Sequence, residues 1–196
     1  MADLILLNKP YQVLSQFTDA SGRETLANYV HEPGFYAAGR LDYDSEGLLL
    51  LCRDGQLQQL ISNPKHKVWK TYLLQLDGVP DTEALERLRS GVELKDGMTA
   101  PARVESVQAP ALWPRQPPIR VRARHPTSWL RISIAEGRNR QLRRMAAHVG
   151  FPVLRLVRER IGDWSLDGLQ PGETRKLQIH LPRTGRSTRR RNVRPR

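Results

Sequence analysis

The sequence contains a single cysteine, Cys52. One thiol excludes an internal disulfide and fits a reducing compartment, so a cytoplasmic protein is expected. Cys52 closes a run of leucines, where it reads as a buried small hydrophobe rather than a nucleophile. No apolar run approaches the roughly 20 residues that a membrane helix needs, so no membrane association is expected. The opening "MADLILLNKP" lacks a basic region and a small-residue cleavage site, which argues against a signal peptide. There is no Gly-x-x-x-x-Gly-Lys phosphate loop and no Gly-x-Ser-x-Gly elbow. His31, His66, His125, His148 and His180 are scattered without metal-ligand spacing, so neither metal nor cofactor is expected. The RNP signature of an RRM and a helix-turn-helix pattern are also missing, which weakens the case for those modules.

Acidic residues run short toward the C-terminus. Residues 1–111 carry 11 basic and 15 acidic residues. Residues 112–160 carry 12 arginines against two acids, Glu136 and Glu159. Residues 183–196, "RTGRSTRRRNVRPR", carry seven arginines and no acid. Arginine supplies 26 of the 32 basic residues of a chain with net charge +12. Its planar fork binds phosphate through two hydrogen bonds and stacks on bases. Such clustering is the footprint of a nucleic-acid binder, and a generally basic solubility surface does not explain the slightly acidic first half.

The 196 residues suffice for one domain or two small lobes sharing a core. Apolar alternation and β-branched residues predict strands near 3–8, 35–39, 48–53, 68–76, 103–108, 118–123, 129–135, 152–157 and 175–180. Helices fit 24–30, 55–62, 81–90 and 139–149, with Asp81 as an N-cap and Gly91 as a stop. In the last helix Leu142, Met145, Ala146 and Val149 form an apolar stripe. Arg143 lies roughly 100° from Leu142, at the stripe's edge, where it can reach a cleft wall; Arg144 points to solvent or phosphate. The expected class is α+β, with a mainly antiparallel mixed sheet and flanking helices. The stretch "APALWPRQPPIRVRARHP" (109–126) reads as a long exposed loop and a candidate RNA contact. The folded part is expected to end near Pro182, with 183–196 a disordered Arg-rich tail.

The segment "GRLDYDSEGLLLLCRDG" (39–55) sets three acids, Asp42, Asp44 and Glu46, at alternate positions ahead of the leucine run. It imitates the first half of a calcium loop, but position 12 of that loop falls on Arg53, which repels a cation. Two other readings stay open on the residues alone. One is a solvated turn before a core strand. The other is a catalytic carboxylate beside Arg40.

"GRLDYDSEGLLLL" resembles the catalytic motif of pseudouridine synthases. "LLNKP" (6–10) is similar to their first motif and "KTYLLQL" (70–76) to their Lys/Arg-x-Tyr strand. "EGRNRQLRRM" with "LRLVRERIG" (136–145, 154–162) is similar to the third motif and its extension. The double-basic Met ending resembles the RsuA-like subgroup, which acts on ribosomal RNA. "LNKPYQVLSQFTD", "PTSWL" and "AHVGFPVLRL" are most similar to members that act on the large subunit (23S rRNA). Most of the subgroup carries a preceding S4 RNA-binding domain, which is missing from this sequence, and Arg140 replaces the usual His.

The resemblance implies the pseudouridine synthase catalytic fold over residues 1–182, as two lobes around a cleft. It implies an enzyme that isomerises uridine in large-subunit ribosomal RNA without a cofactor, working as a monomer. It assigns Asp42 as nucleophile or base, with Arg143 as its ion-pair partner. Tyr72 would stack on the uracil, and Arg40 would fill the gap left by the flipped base. Lys9, Lys70, Arg138, Arg140 and Arg144 are the RNA-binding candidates, although Lys9 and Pro10 also suit a turn beside the cleft. Asp44 and Glu46 are read as the turn's own polar groups, bonding backbone N–H groups. The alternative is a non-catalytic RNA-binding or ribosome-assembly protein that keeps the fold; a DNA-binding regulator fits less well.

Overall fold

The structure is a computed structural model and describes residues 1–119 and 125–180. The expected tail and most of the strand expected at 118–123 lie outside those residues. Strands run over β1 (Ala2–Lys9), β2 (Tyr36–Ala37), β3 (Glu46–Cys52), β4 (Lys70–Asp77), β5 (Glu93–Leu94) and β6 (Gly97–Met98). They continue with β7 (Arg103–Val107), β8 (Thr127–Ile134), β9 (Val153–Ile161), β10 (Trp164–Ser165) and β11 (Thr174–Ile179). The α-helices are α1 (Gly55–Ser62), α2 (Thr82–Ser90) and α3 (Gln141–His148). The main sheet has the order β11-β1-β3-β9-β4-β8-β7. Its only parallel pair among the described residues is β3 with β9; the other pairs are antiparallel.

The leucine run explains why β3 is central. Every residue of β3 is buried, as a strand covered on both faces requires. Alternate side chains divide between two cores. Ile5, Leu7, Leu49, Leu51, Leu74 and Leu76 pack on one face with Leu142 and Met145 of α3. Leu4, Leu6, Leu48, Leu50, Leu73 and Val157 pack on the other with Leu57 and Ile61 of α1. Two of the three helices, α1 and α2, start on a readable signal. Asp54 accepts from the N–H groups of Gln56 and Leu57 at 2.9 Å. Asp81 caps α2 through the Ala84 N–H at 2.8 Å, and Gly91 ends it at φ 107°. A Cβ on Gly47 would lie 2.4 Å from the Arg158 carbonyl oxygen, so this glycine lets β3 and β9 approach.

The helix expected over 24–30 is a single 3-10 turn, Leu26–Asn28. Its capping box forms between Thr25 and Asn28, but aromatic and β-branched residues follow and Pro33 cuts off extension. The β5–β6 hairpin was not anticipated, because two-residue strands are too short to alternate visibly. No helix among the described residues is long and apolar enough to cross a membrane.

Candidate active site

The acidic segment is a tight loop between β2 and β3. Ser15 pins the residue before Asp42: its Oγ donates to the Leu41 carbonyl at 2.6 Å and accepts from the Leu41 N–H at 3.1 Å. The Gln12 N–H donates to the Tyr43 carbonyl at 2.8 Å, and the Ser45 N–H donates to the Asp42 carbonyl at 3.1 Å. The first strand and its following turn thus hold the loop from below. Above it opens a cavity of about 260 Å³, lined among others by Arg40, Asp42, Lys70, Tyr72, Arg143 and Arg158. β4 brings Lys70 and Tyr72, α3 brings Arg143, and β9 brings Arg158.

The ion pairs correct one expectation. Arg143 pairs with Asp44 rather than Asp42: its Nε lies 3.4 Å from Asp44 Oδ2 and its Nη2 donates to the Asp44 carbonyl at 2.6 Å. Arg140 instead reaches Asp42, at 3.7 Å, while holding Asp44 with two bonds of 2.7 Å. The Arg140 guanidinium keeps the Asp44 carboxyl below its ordinary range, against the opposing effect of burial. Burial pulls the Arg143 guanidinium down while both aspartates support its charge. Asp42 keeps a side chain 34% exposed toward the cavity, with one long contact, so it is the carboxylate left available to a ligand. Arg140 adopts a left-handed backbone at φ 46°, a costly conformation for a residue other than glycine, where it turns the segment from Asn139 into α3.

The comparisons with known proteins decide what this loop belongs to. Residues 3–148 match the family model described as RNA pseudouridylate synthase. The chain belongs to the RNA pseudouridylate synthase family. It is 58% identical over 176 residues to "Ribosomal large subunit pseudouridine synthase E" of Vibrio parahaemolyticus, covering 90% of this chain and 74% of that one. The protein of the same name from Xanthomonas campestris is 58% identical over 175 residues, covering 88% of this chain and 94% of the relative. Among solved structures, one described as "Crystal structure of pseudouridylate synthase" superposes with TM-score 0.75 at 31% identity. That match covers 91% of this chain and 71% of the other. The α+β architecture expected from the sequence is therefore that of a pseudouridylate synthase.

The remaining candidates fall into place unevenly around this synthase cavity. Tyr72 is buried on the wall, facing Arg158 across the β4–β9 pairing. Arg40 is exposed at the mouth and its side chain has no partner among the described residues. Lys70 lines the cavity and donates to the Val68 carbonyl at 3.1 Å. Lys9 does not touch the surface. It is fully buried and donates to the Pro10 and Val13 carbonyls, both at 2.8 Å, so it shapes the turn under the loop and is not an RNA contact. Arg144 forms two bonds to Asp96, of 2.7 and 3.0 Å, and Arg138 donates to the Asp96, Gly97 and Met98 carbonyls. Arg138 lines the cavity and Arg144 lies beyond its lining, and both are already engaged.

Glu46 is the second correction. It does not bond the turn's N–H groups. It is buried, receives Arg155 through two bonds of 2.8 Å and accepts the Trp113 indole N–H at 2.7 Å. Arg155 also donates to the Trp113 carbonyl, so this cluster pins the 109–119 segment against β3 and β9. The exposed loop expected there is anchored at Trp113. Ser15, Arg158 and Arg155 were not singled out from sequence; a hydroxyl or an arginine has no periodicity that marks its partner. Among the described residues, no group of three or more His, Cys, Asp or Glu side chains is placed to hold a metal.

Proposed function

We propose that the protein isomerises uridine to pseudouridine in large-subunit ribosomal RNA, with Asp42 as nucleophile or base. The observation that carries this is the placement of Asp42. Its carboxylate stands at a cavity with Tyr72 on the wall and Arg143 behind, inside the span that matches the family. The relatives named for the large subunit support the substrate class. The reaction breaks the N1–C1′ bond, turns the uracil and rejoins it through C5. N1 gains a proton and C5 loses one, so there is no net oxidation. A uridine must leave its stack to enter the cavity, at a cost of a few kcal/mol that stacking and phosphate contacts offset. Tyr72 gives the extruded base a face, and Arg40 at the mouth fills the space the base vacates. Lys70, Arg138, Arg140 and Arg144 ring the entrance for phosphate.

We further read residues 1–182 as one catalytic unit acting as a monomer in the cytoplasm, with 183–196 as an electrostatic tail. The test is incubation with large-subunit ribosomal RNA and chemical mapping of pseudouridine. Wild type is expected to modify a discrete uridine. Asp42→Asn is expected to lose roughly 10³-fold or more of the rate while binding RNA as before, since it removes a charge from the chemistry and no phosphate contact. Product at the wild-type rate from that variant refutes the role of Asp42. RNA binding by wild type without product favours the non-catalytic alternative.

A further inference from the structure

Arg158 has no part in the reading of Asp42, Tyr72 and Arg143, yet it is a buried charge at the cavity without an acidic partner among the described residues. The residue is 3% exposed. Its Nε donates to the Leu48 carbonyl at 2.7 Å and its Nη1 to the Arg40 carbonyl at 3.3 Å. Nη2 is buried and has no hydrogen-bond partner among the described residues. Among the described residues, Arg158 forms no ion pair, whereas Arg138, Arg140, Arg143, Arg144 and Arg155 each do. A buried charge held only by neutral carbonyls is expensive, and one terminal nitrogen left without an acceptor adds to that cost. Lys70, on the same cavity, also lacks a carboxylate partner among the described residues and has its pKa lowered first by burial and then by Arg158. Both cations thus stand in an electropositive part of the cavity wall, in the cavity that Asp42 lines.

The register fixes what this wall faces. Tyr72 and Arg158 are direct partners between β4 and β9, so their side chains share one face of the sheet. The guanidinium carbon is 5.9 Å from the centre of the Tyr72 ring. A uracil resting against Tyr72 therefore brings its rim near Arg158. That rim carries O2 and O4.

We propose that Arg158 is a catalytic residue that stabilises the negative charge on the uracil carbonyl oxygens when the N-glycosidic bond opens. The proposal rests on the function given above. Heterolysis of N1–C1′ sends the bonding pair to the base and leaves C1′ electron-deficient, for Asp42 or loss of a 2′ proton to satisfy. The departing uracil is an anion whose charge spreads over N1 and the carbonyl oxygens. When C5 bonds to C1′ that pair returns to the sugar as the Asp42–C1′ bond breaks or the 2′ proton is put back; C5 then releases its proton and N1 takes one up. The oxygens are charged only in between. A guanidinium that is oriented and unpaired beforehand lowers the energy of that interval without reorganisation, as oxyanion-holding donors do.

The test compares wild type, Arg158→Gln and Arg158→Lys on a short RNA containing the mapped uridine. Arg158→Gln is expected to lower kcat at saturating RNA roughly 10²–10³-fold, the range for removing one such donor. RNA affinity stays within about twofold, because the group acts on charge absent from the ground state. Arg158→Lys keeps the charge and recovers part of the rate. The second arm places 5-fluorouridine at the target and follows loss of the N-linked nucleoside. Fluorine makes the departing base more acidic, so it needs less help. The ratio of wild-type to variant rate is expected to shrink about tenfold or more relative to uridine. A purely structural role leaves that ratio the same for both bases and overturns the proposal, as does a wild-type kcat in Arg158→Gln. Arg158→Lys carries the same comparison if the Gln variant does not fold. Absence of product from wild type refutes the underlying function instead.

Discussion

Asp42 and Asp44 stand two residues apart, yet their surroundings separate them. Asp44 is held by three guanidinium contacts from Arg140 and Arg143, whereas Asp42 has one long contact and faces the cavity. The nearby Lys9 is an equally particular case. It lies under the loop with its ammonium on two carbonyls, and burial, reinforced by Arg158, brings its pKa down to about 7. The folded protein sheds this proton near pH 7, while the unfolded chain keeps it to about 10.5. Between those values the unfolded state binds more protons, so this group makes the fold more stable as pH rises across the window. Below pH 7 the buried charge is a liability. In Lys9→Met this dependence should vanish. The expected result is that the urea midpoint of wild type gains on that of Lys9→Met from pH 7 to 9. Parallel changes in the two proteins over that range would show that Lys9 does not titrate there.

At the level of elements, the β3–β9 junction places loop and cavity together. Gly47 sits at φ 105°, with no room for a Cβ against the Arg158 backbone. Gly47→Ala should therefore cost roughly 2–5 kcal/mol, from a strained backbone plus forced separation of two central strands. Calorimetry is expected to show a Tm lower by about 5 °C or more, together with loss of activity. A melting point within about 2 °C of wild type would mean the strands adjust freely. The core strands and the α3 stripe were legible because alternation and helical periodicity are local properties: Leu48 to Leu51 split between two cores, and Leu142, Met145, Ala146 and Val149 are all buried. The position of Asp42 was legible through its motif. The partners were not. Asp44 lies 96 positions from Arg140, and Glu46 lies 109 from Arg155. Which of several arginines reaches which of three alternating acids depends on how α3 and β9 cross the loop, and no spacing in the chain encodes that. Lys9 was legible in part: Lys9-Pro10 suggested a turn beside the cleft, but not that two turn carbonyls would hold the ammonium inside and away from RNA.

Across the whole molecule, charge is divided between a folded body and the residues after Pro182. We propose that the seven arginines of 183–196 act through phosphate rather than base identity. If half of them engage at once, truncation after Pro182 should flatten the slope of log affinity against log salt by roughly 2–3 units. Affinity at low salt falls by orders of magnitude, the modified uridine stays the same, and kcat at saturating RNA hardly changes, since uniform binding does not speed the chemical step. Salt titrations with parallel site mapping check this. An unchanged slope with a displaced or scattered modification site would assign the segment to site selection instead. On the body, Arg140 and Arg144 already hold Asp44 and Asp96. Those carboxylates act as counterions tethered to the protein. If a phosphate takes their place, the cation it sheds is matched by the carboxylate set free, so the arginine contributes its attraction for phosphate less its attraction for the acid. The rim then competes for RNA by exchange, not by raw charge, and a stray strand that fits only one or two of these sites gains little over the acid it displaces. We propose that a stretch of RNA shaped to exchange all of them together gains the sum, so that the same ion pairs that mute the surface toward polyanions in general sharpen a preference for one fold of RNA.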